Sequence, residues 1–507
     1  MTSTTSFTSV LALSFLLASQ LTTLAEVRLA PLFQTGMVLQ REVAVPVWGS
    51  ASAGEEVAVT FAGKTKGTKA DQHGHWQIQL DALAGSAKGR EMKINGANEL
   101  VLEDVVVGEV WICSGQSNMQ MGAAGIPEIQ ALIPKANQLR TFEVPRTASF
   151  TEQEHCGGQW QAKHPNSAVA FSFAHFLQQA ADVPVGIILA CWGSSSLEAW
   201  MPRDMTATVP HFATIMAEFD RDKKTRATLQ ASFEKPKGWS RNEDIFIRRQ
   251  PNILYNAMIK PLAPFACRGF VWYQGERNTQ SMAGMVSEPW YGRHSGILRY
   301  GDTLKKWIRR YRAEWKRDDL EFMIVMLPGY GQVLPSGPRT GSQSPIAHSW
   351  AWMREAQLQA LDLPHTSVIT TIDLGDLKNI HPKDKLPIGK RLALTAAKNT
   401  LGQEVVANGP TFKKMTARGA ELIVHFDHSE GLTTQDKGPP SAFWIADDSK
   451  KWFQADAKIV DGKVVLSSSK VSAPKHIRYA FAGVPRVNLI NAAALPARPF
   501  RTDSFQP

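Results

Sequence analysis

Hydrophobic and polar positions divide the chain into three stretches of different rhythm. Between residues 26 and about 105 they alternate, as in Val57-Ala-Val-Thr-Phe61 and Trp76-Gln-Ile-Gln-Leu80, the period of strands with one buried face. Asp71-Gln-His-Gly74 and Asn95-Gly96-Ala97-Asn98 supply turn chemistry, the second reading as a type I′ hairpin. From about 106 to 400 the rhythm becomes strand, loop, helix. Five short apolar runs stand out: Val110-Trp-Ile-Cys113, Val185-Gly-Ile-Ile-Leu-Ala-Cys191, Gly269-Phe-Val-Trp-Tyr273, Phe322-Met-Ile-Val-Met-Leu327 and Ser367-Val-Ile-Thr-Thr-Ile372. Helices are predicted over 166–181, 302–316, 350–361 and 388–399. Strands alternating with helices of this length predict a parallel sheet covered on both faces. The long polar segment between the second and third runs, which includes Lys235-Pro-Lys-Gly-Trp-Ser240, is predicted to hold inserted loops. After about 401 the β pattern returns, with Asp461-Gly462 as a hairpin signal between Ala457-Lys-Ile-Val460 and Val464-Val-Leu466.

A chain of 507 residues is too long for one ordinary core. The expected division is a leader over 1–25, an N-terminal β-sandwich-like domain over 26–105, a catalytic domain over 106–400 and a C-terminal β-rich domain over 401–507. The leader rests on the apolar run Val10-Leu-Ala-Leu-Ser-Phe-Leu-Leu-Ala18 and the small-residue exit at Ala25. It has signal-peptide length and is too short to span a bilayer, so export, to the periplasm or outside the cell, is expected. The formal charge of +10 does not indicate nucleic-acid binding, because its densest run, 305–312, lies on a helix with Leu304, Trp307, Ile308, Tyr311 and Trp315 inward. A positive surface favours anionic glycans instead. Cys113, Cys156, Cys191 and Cys267 show no metal-type spacing, and buried free thiols are expected. No metal or other cofactor is expected.

Ligands of an open parallel sheet bind beyond the carboxyl ends of its strands. The five runs lead into Ser114-Gly-Gln-Ser-Asn-Met119, Trp192-Gly-Ser-Ser195, Gln274-Gly-Glu-Arg-Asn278, Pro328-Gly-Tyr-Gly331 and Asp373-Leu-Gly-Asp376, the last followed by Ile380-His381-Pro382. Each ending delivers glycine with polar or ionisable groups to one sheet edge. Acyl transfer is the chemistry they suggest. A serine hydroxyl needs a base to take its proton, and imidazole does this near neutral pH. Ser117 is the candidate nucleophile and His381 the base. The backbone N–H groups of Ser117 and Gly193, with the Asn278 amide, form a candidate oxyanion hole, each donor worth about 3 kcal/mol. Gln116, Gln274, Glu276 and Trp192 are candidate substrate-binding residues. Gly115-Gln-Ser-Asn-Met119 lacks the second glycine of a Gly-x-Ser-x-Gly elbow, which disfavours an α/β-hydrolase.

Gly108-Glu-Val-Trp-Ile-Cys-Ser-Gly-Gln-Ser-Asn-Met119 resembles the signature of the sialate O-acetylesterase family. The likeness continues in order through Met37-Val-Leu-Gln-Arg41, Leu197-Glu-Ala-Trp200, Trp272-Tyr-Gln-Gly-Glu-Arg-Asn278, Arg354-Glu-Ala-Gln357, Ile380-His-Pro382 and the terminal 495–503. The resemblance implies a flavodoxin-like, SGNH-hydrolase three-layer catalytic domain with a parallel sheet, flanked by β-rich regions, that deacetylates O-acetylated sugars without cofactor. It implies Ser117 as nucleophile and His381 as base. SGNH hydrolases usually carry their acid three residues before the histidine, where this chain has Lys378. Asp376 is the first choice for the acid, with Asp373 and Glu276 as alternatives. The sugar stays open between sialate and acetylated polysaccharides. The rival class is a non-catalytic glycan-binding protein using the same cleft, and a glycosidase would need two facing carboxylates such as Glu276 and Asp376.

Overall fold

The computed structural model describes residues 26–235, 238–281, 297–331, 345 and 349–505, so the predicted leader lies outside the described residues. Six strands, β1 (Glu99–Gly115), β2 (Leu139–Glu143), β3 (Val185–Cys191), β4 (Gly269–Tyr273), β5 (Glu321–Val325) and β6 (Thr366–Ile369), lie side by side in the order β2-β3-β1-β4-β5-β6. Every neighbouring pair among them is parallel. The five apolar runs supply β1, β3, β4, β5 and β6. Only β2, whose Leu-Arg-Thr-Phe-Glu is too mixed to read as a buried strand, is an addition. Strand order reverses at β1, with β3 on one side and β4 on the other. At such a switch point the loops part and leave a crevice beyond the carboxyl ends.

The helices explain the apolar runs. A short helix, α1 (Ser117–Gln120), follows β1, and α2 (Ala168–Ala181) precedes β3. Between β3 and β4 lie α3 (Pro210–Arg221), α4 (Lys223–Phe233) and α5 (Arg241–Ile247), so the predicted inserted loops are largely helical. Phe212, Ile215, Met216 and Phe219 bury one side of α3 at helical spacing, and Ser240 with Glu243 forms a capping box on α5. The predicted helices follow as α6 (Ile297–Trp315), α7 (Ser349–Leu358) and α8 (Leu386–Leu401). Trp111 of β1 packs edge-on against Phe173 of α2. Phe270 and Trp272 of β4 stand in register with Ile112 and Ser114, hence on the opposite side from Trp111, and meet Tyr311 and Trp307 of α6. Strands buried on both sides read as continuous apolar runs.

Position 105 falls inside β1. Exposed and half-buried residues mix up to Asp104, and from Val105 onward every residue of the strand is buried. The first half of β1 pairs antiparallel with Ser86–Asn95, and Val106–Gly108 run parallel to Val38–Gln40. One apolar core therefore joins the N-terminal strands to the large sheet. Asn95 pairs with Glu99 across three intervening residues, and neither Asn95 nor Gly96 has positive φ, so the expected type I′ turn is not formed there. Gly96 is pressed against Val27 instead, where a Cβ would lie 2.2 Å from a Val27 methyl. At Asp461-Gly462 φ is 48° and 70°, the conformation that a type I′ turn requires. The strands after 401 enclose a second core, built on Leu422, Val424, Val464, Ile477 and Tyr479. All four cysteines are free, with Cys113, Cys191 and Cys267 buried and Cys156 half-buried. Among the described residues no helix is long and apolar enough to cross a membrane.

Candidate active site

The end of β1 is pressed against the end of β4. Gly115 has φ +135°, and a Cβ there would fall 2.2 Å from the Tyr273 carbonyl oxygen, so only glycine lets the chain turn here. The turn is fixed by Gln116 N–H donating to the Tyr273 carbonyl (3.0 Å) and Trp192 N–H donating to that of Gly115 (3.1 Å). Ser117 then opens α1 with its side chain in a pocket of about 600 Å³. From the other end of the domain, the loop after β6 brings His381 to the same place. Ser117 Oγ and His381 Nε2 lie 2.8 Å apart. Burial, and then Lys385, lowers the imidazole pKa below its ordinary value, so the ring is neutral and can accept the hydroxyl proton near pH 7.

The three candidate acids stand differently. Asp376 is exposed and turned into its own loop, where Oδ1 accepts the N–H groups of Lys378 (2.6 Å) and Asn379 (2.8 Å). Asp373 is held in a two-pronged pair by Arg391 at 2.7 and 2.6 Å. Neither lines the pocket, so the first choice, Asp376, is not brought to the imidazole: its lone pairs serve a turn. Glu276 does line the pocket, buried at 3% exposure. Its Oε1 accepts from Asn118 Nδ2 at 2.5 Å, and its Oε2 is buried without a hydrogen-bond partner. Among the described residues the His381 ring, too, makes no hydrogen bond besides that to Ser117. Burial pushes the Glu276 carboxyl up to about 7, opposed by Asn118 and Lys385. With Asp376 outside the pocket, the facing carboxylates of a glycosidase are not assembled.

Gly193 sits against the nucleophile: a Cβ would lie 3.3 Å from Ser117 Cβ and 3.2 Å from Gln120 Oε1. Its N–H donates to Gln120 Oε1 at 2.7 Å, so Gln120 occupies this donor of the predicted oxyanion hole. Asn278 does not reach the pocket. Its Oδ1 accepts from Gln274 Nε2 (2.7 Å) and Leu197 N–H (3.0 Å), and its Nδ2 donates to the buried Glu198 (3.1 Å). Gln274 is likewise consumed beneath the site, donating also to the Ser195 carbonyl at 3.1 Å. Gln116 does line the pocket, and its Oε1 accepts the Arg277 N–H at 3.2 Å. Trp192 is fully buried, stacked on Trp239 at 5.3 Å and donating to Asp244 at 2.8 Å, so it anchors α5 and offers no face to a sugar. The pocket wall also holds Gln120, Arg248, Arg249 and Arg277, none of which sequence reasoning named as a site residue. The adjacent arginines were the available signal. Among the described residues no cluster of His, Cys, Asp and Glu is arranged to hold a metal ion.

A family model described as carbohydrate esterase, sialic acid-specific acetylesterase matches residues 234–398. The chain is similar to the solved structure of a carbohydrate acetylesterase from Xanthomonas citri, with 32% identity, a TM-score of 0.77, and 95% of this chain and 100% of that one covered. It is also similar to the sialate O-acetylesterase of Rattus norvegicus, 24% identical over 93% of this chain and 94% of the relative. The Homo sapiens sialate O-acetylesterase is 24% identical, with 93% and 92% covered. These likenesses define a carboxylic-ester hydrolase with a carbohydrate substrate. The chain belongs to the family of carbohydrate acetylesterases.

Proposed function

We propose that the protein is an exported serine esterase that removes O-acetyl groups from carbohydrates through Ser117, His381 and Glu276. The observation that carries the reading is the 2.8 Å approach of Ser117 Oγ to His381 Nε2 in an open pocket at the sheet's switch point. Ser117 attacks the acetyl carbonyl as His381 takes the hydroxyl proton. The oxyanion is met by the N–H groups of Ser117 and Gly193, which requires Gln120 to swing off Gly193. The imidazolium, stabilised by the Glu276 carboxylate, passes its proton to the departing sugar oxygen, leaving acetyl-Ser117. Water then attacks the acetyl group by the reverse proton route, releasing acetate. Asn278 has no part in this scheme.

The same reading takes residues 1–25 as an export signal and the parallel sheet with its helices as a flavodoxin-like, SGNH-type three-layer domain. The regions 26–105 and 401–507 are its β-rich flanks. Arg248, Arg249 and Arg277 on the pocket wall favour a sugar bearing a carboxylate, such as sialate, over neutral acetylated xylan. The test is acetate release from O-acetylated sialic acids, pectic fragments and xylo-oligosaccharides by wild type and Ser117→Ala. Carboxylated sugars are expected to react fastest, with no shortening of any oligosaccharide. Equal acetate release by wild type and Ser117→Ala would end the serine mechanism.

A further inference from the structure

Behind Ser117 and His381 a buried amide joins two buried charges. Asn118, next to the nucleophile, is fully buried, and its Oδ1 accepts from Lys385 Nζ at 2.6 Å. Its Nδ2 donates to Glu276 Oε1 at 2.5 Å and to the Ile380 carbonyl at 3.0 Å, one residue before His381. Lys385 itself has no exposed surface. The groups that face its ammonium are Glu276, Asp384 of its own loop, the Tyr273 ring at 5.3 Å and His381. An amide has a fixed polarity, one acceptor and one donor end. Turned round, Asn118 would present its NH2 to the ammonium and its oxygen to the carboxylate. Lys385, together with the Ile380 carbonyl, therefore sets which way Asn118 points, and Asn118 sets where Glu276 and the His381 loop stand.

We propose, resting on the reading of Glu276 as the acid, that Lys385 is a positioning residue whose ammonium, through Asn118, keeps Glu276 ionised and oriented behind His381. A fully buried ammonium is expensive to keep unless paired, and burial lowers the Lys385 pKa to about 8 while raising that of Glu276 to about 7. Each charge favours the other. Without the ammonium, Glu276 would hold its proton into the alkaline range and could not stabilise an imidazolium. Lys385 also lowers the His381 pKa, so its removal displaces the acid limb of activity in the same direction by either route. The experiment has to separate the two.

The test is kcat/KM for p-nitrophenyl acetate against pH, for wild type, Lys385→Met, Glu276→Gln and the double variant, with thermal unfolding of each. Lys385→Met is expected to move the acid limb alkaline by about one pH unit, a roughly tenfold loss at a pH below the limb. In the Glu276→Gln background the same substitution is expected to move it clearly less, by only the part that Lys385 exerts on His381 directly. An equal displacement in both backgrounds overturns the proposal, because Lys385 then acts on His381 directly, and so does no displacement in either. If Glu276→Gln alone keeps wild-type activity, the acid assignment fails first and the proposal with it. Should Lys385→Met not fold, Asn118→Leu breaks the connection from its other end, and an unmoved acid limb there is equally fatal.

Discussion

Glu276→Gln changes one atom in the site and tests the acid assignment. Asn118 Nδ2 donates to Glu276 Oε1 at 2.5 Å, and Lys385 holds the Asn118 amide in that sense. A glutamine must therefore turn its carbonyl oxygen to Asn118 and its NH2 to the place of Oε2, the buried oxygen without a partner. An NH2 there can only donate. It would favour the imidazole tautomer with the proton on Nε2, the nitrogen 2.8 Å from Ser117 Oγ, and a protonated Nε2 cannot act as base. Were the Glu276 carboxylate about 5 Å from the imidazolium, an effective dielectric constant of about 20 would make their attraction worth roughly 3 kcal/mol. Losing that and the correct tautomer predicts a fall in kcat of about 10²–10⁴, or ~3–5 kcal/mol in the barrier. The assay is acetate release at saturating substrate, beside Asp376→Asn and Asp373→Asn. In Asp376→Asn the amide oxygen could still accept the two turn N–H groups, and Asp373 pairs with Arg391 away from the pocket. Both variants are expected to stay within about threefold of wild type, a change well under 1 kcal/mol. A Glu276→Gln enzyme within tenfold of wild type, beside a crippled aspartate variant, would refute the reasoning.

Gly193→Ala places a methyl 3.3 Å from Ser117 Cβ, tight enough to displace the nucleophile; kcat/KM is expected to fall about 10–100-fold with an unchanged melting temperature. Wild-type kcat/KM is expected to climb as pH passes about 7, because the ionised form of Glu276 is the active one, and to decline above about 8 as Lys385 loses its proton. Those apparent values belong to the pair, and a flat profile across this range counts against the arrangement. Gly389→Ala drives a Cβ to 2.7 Å from the Phe173 backbone nitrogen, where α8 meets α2; urea unfolding is expected to show a loss of about 1–3 kcal/mol. Arg248→Met is expected to lower the preference for carboxylated over neutral acetylated sugars about tenfold in kcat/KM, a loss of ~1.4 kcal/mol, and an unchanged ratio would remove Arg248 from recognition.

The elements legible in the sequence are those whose burial is uniform. β3, β4 and β5 are covered on both sides along their whole length, so hydrophobicity alone marks them. β1 is so covered only from Val105 onward, which is why a boundary drawn where the rhythm changes falls in the middle of a strand. The inserted helices were hidden by their polar outer faces: α4 buries only Leu229 and Ser232. The hairpin at Asn95-Gly96 failed as a type I′ turn because the packing of Val27, distant in sequence, outweighed the local preference.

Within the site the division follows the same physics. Strand-end chemistry could be read because topology carries every strand end to one edge, so Ser117, Gly193, Glu276 and His381 were found from four separate loops. What a sequence does not record is where each polar atom's hydrogen bonds go. Asp376 looked like the acid because it stands near His381 in the chain, yet its own turn satisfies Oδ1. Gln274 and Asn278, one helical turn apart, satisfy each other and face away from the substrate. Lys385 shows the converse. Four residues after the base and just ahead of α8, it reads as an ordinary exposed cation, and it is buried only because Asn118 arrives from β1 and Tyr273 from β4. A residue whose partners come from two other strand ends has no local signature, so the groups that set charge and orientation behind a catalytic pair are found from structure, after the pair itself has been found from sequence.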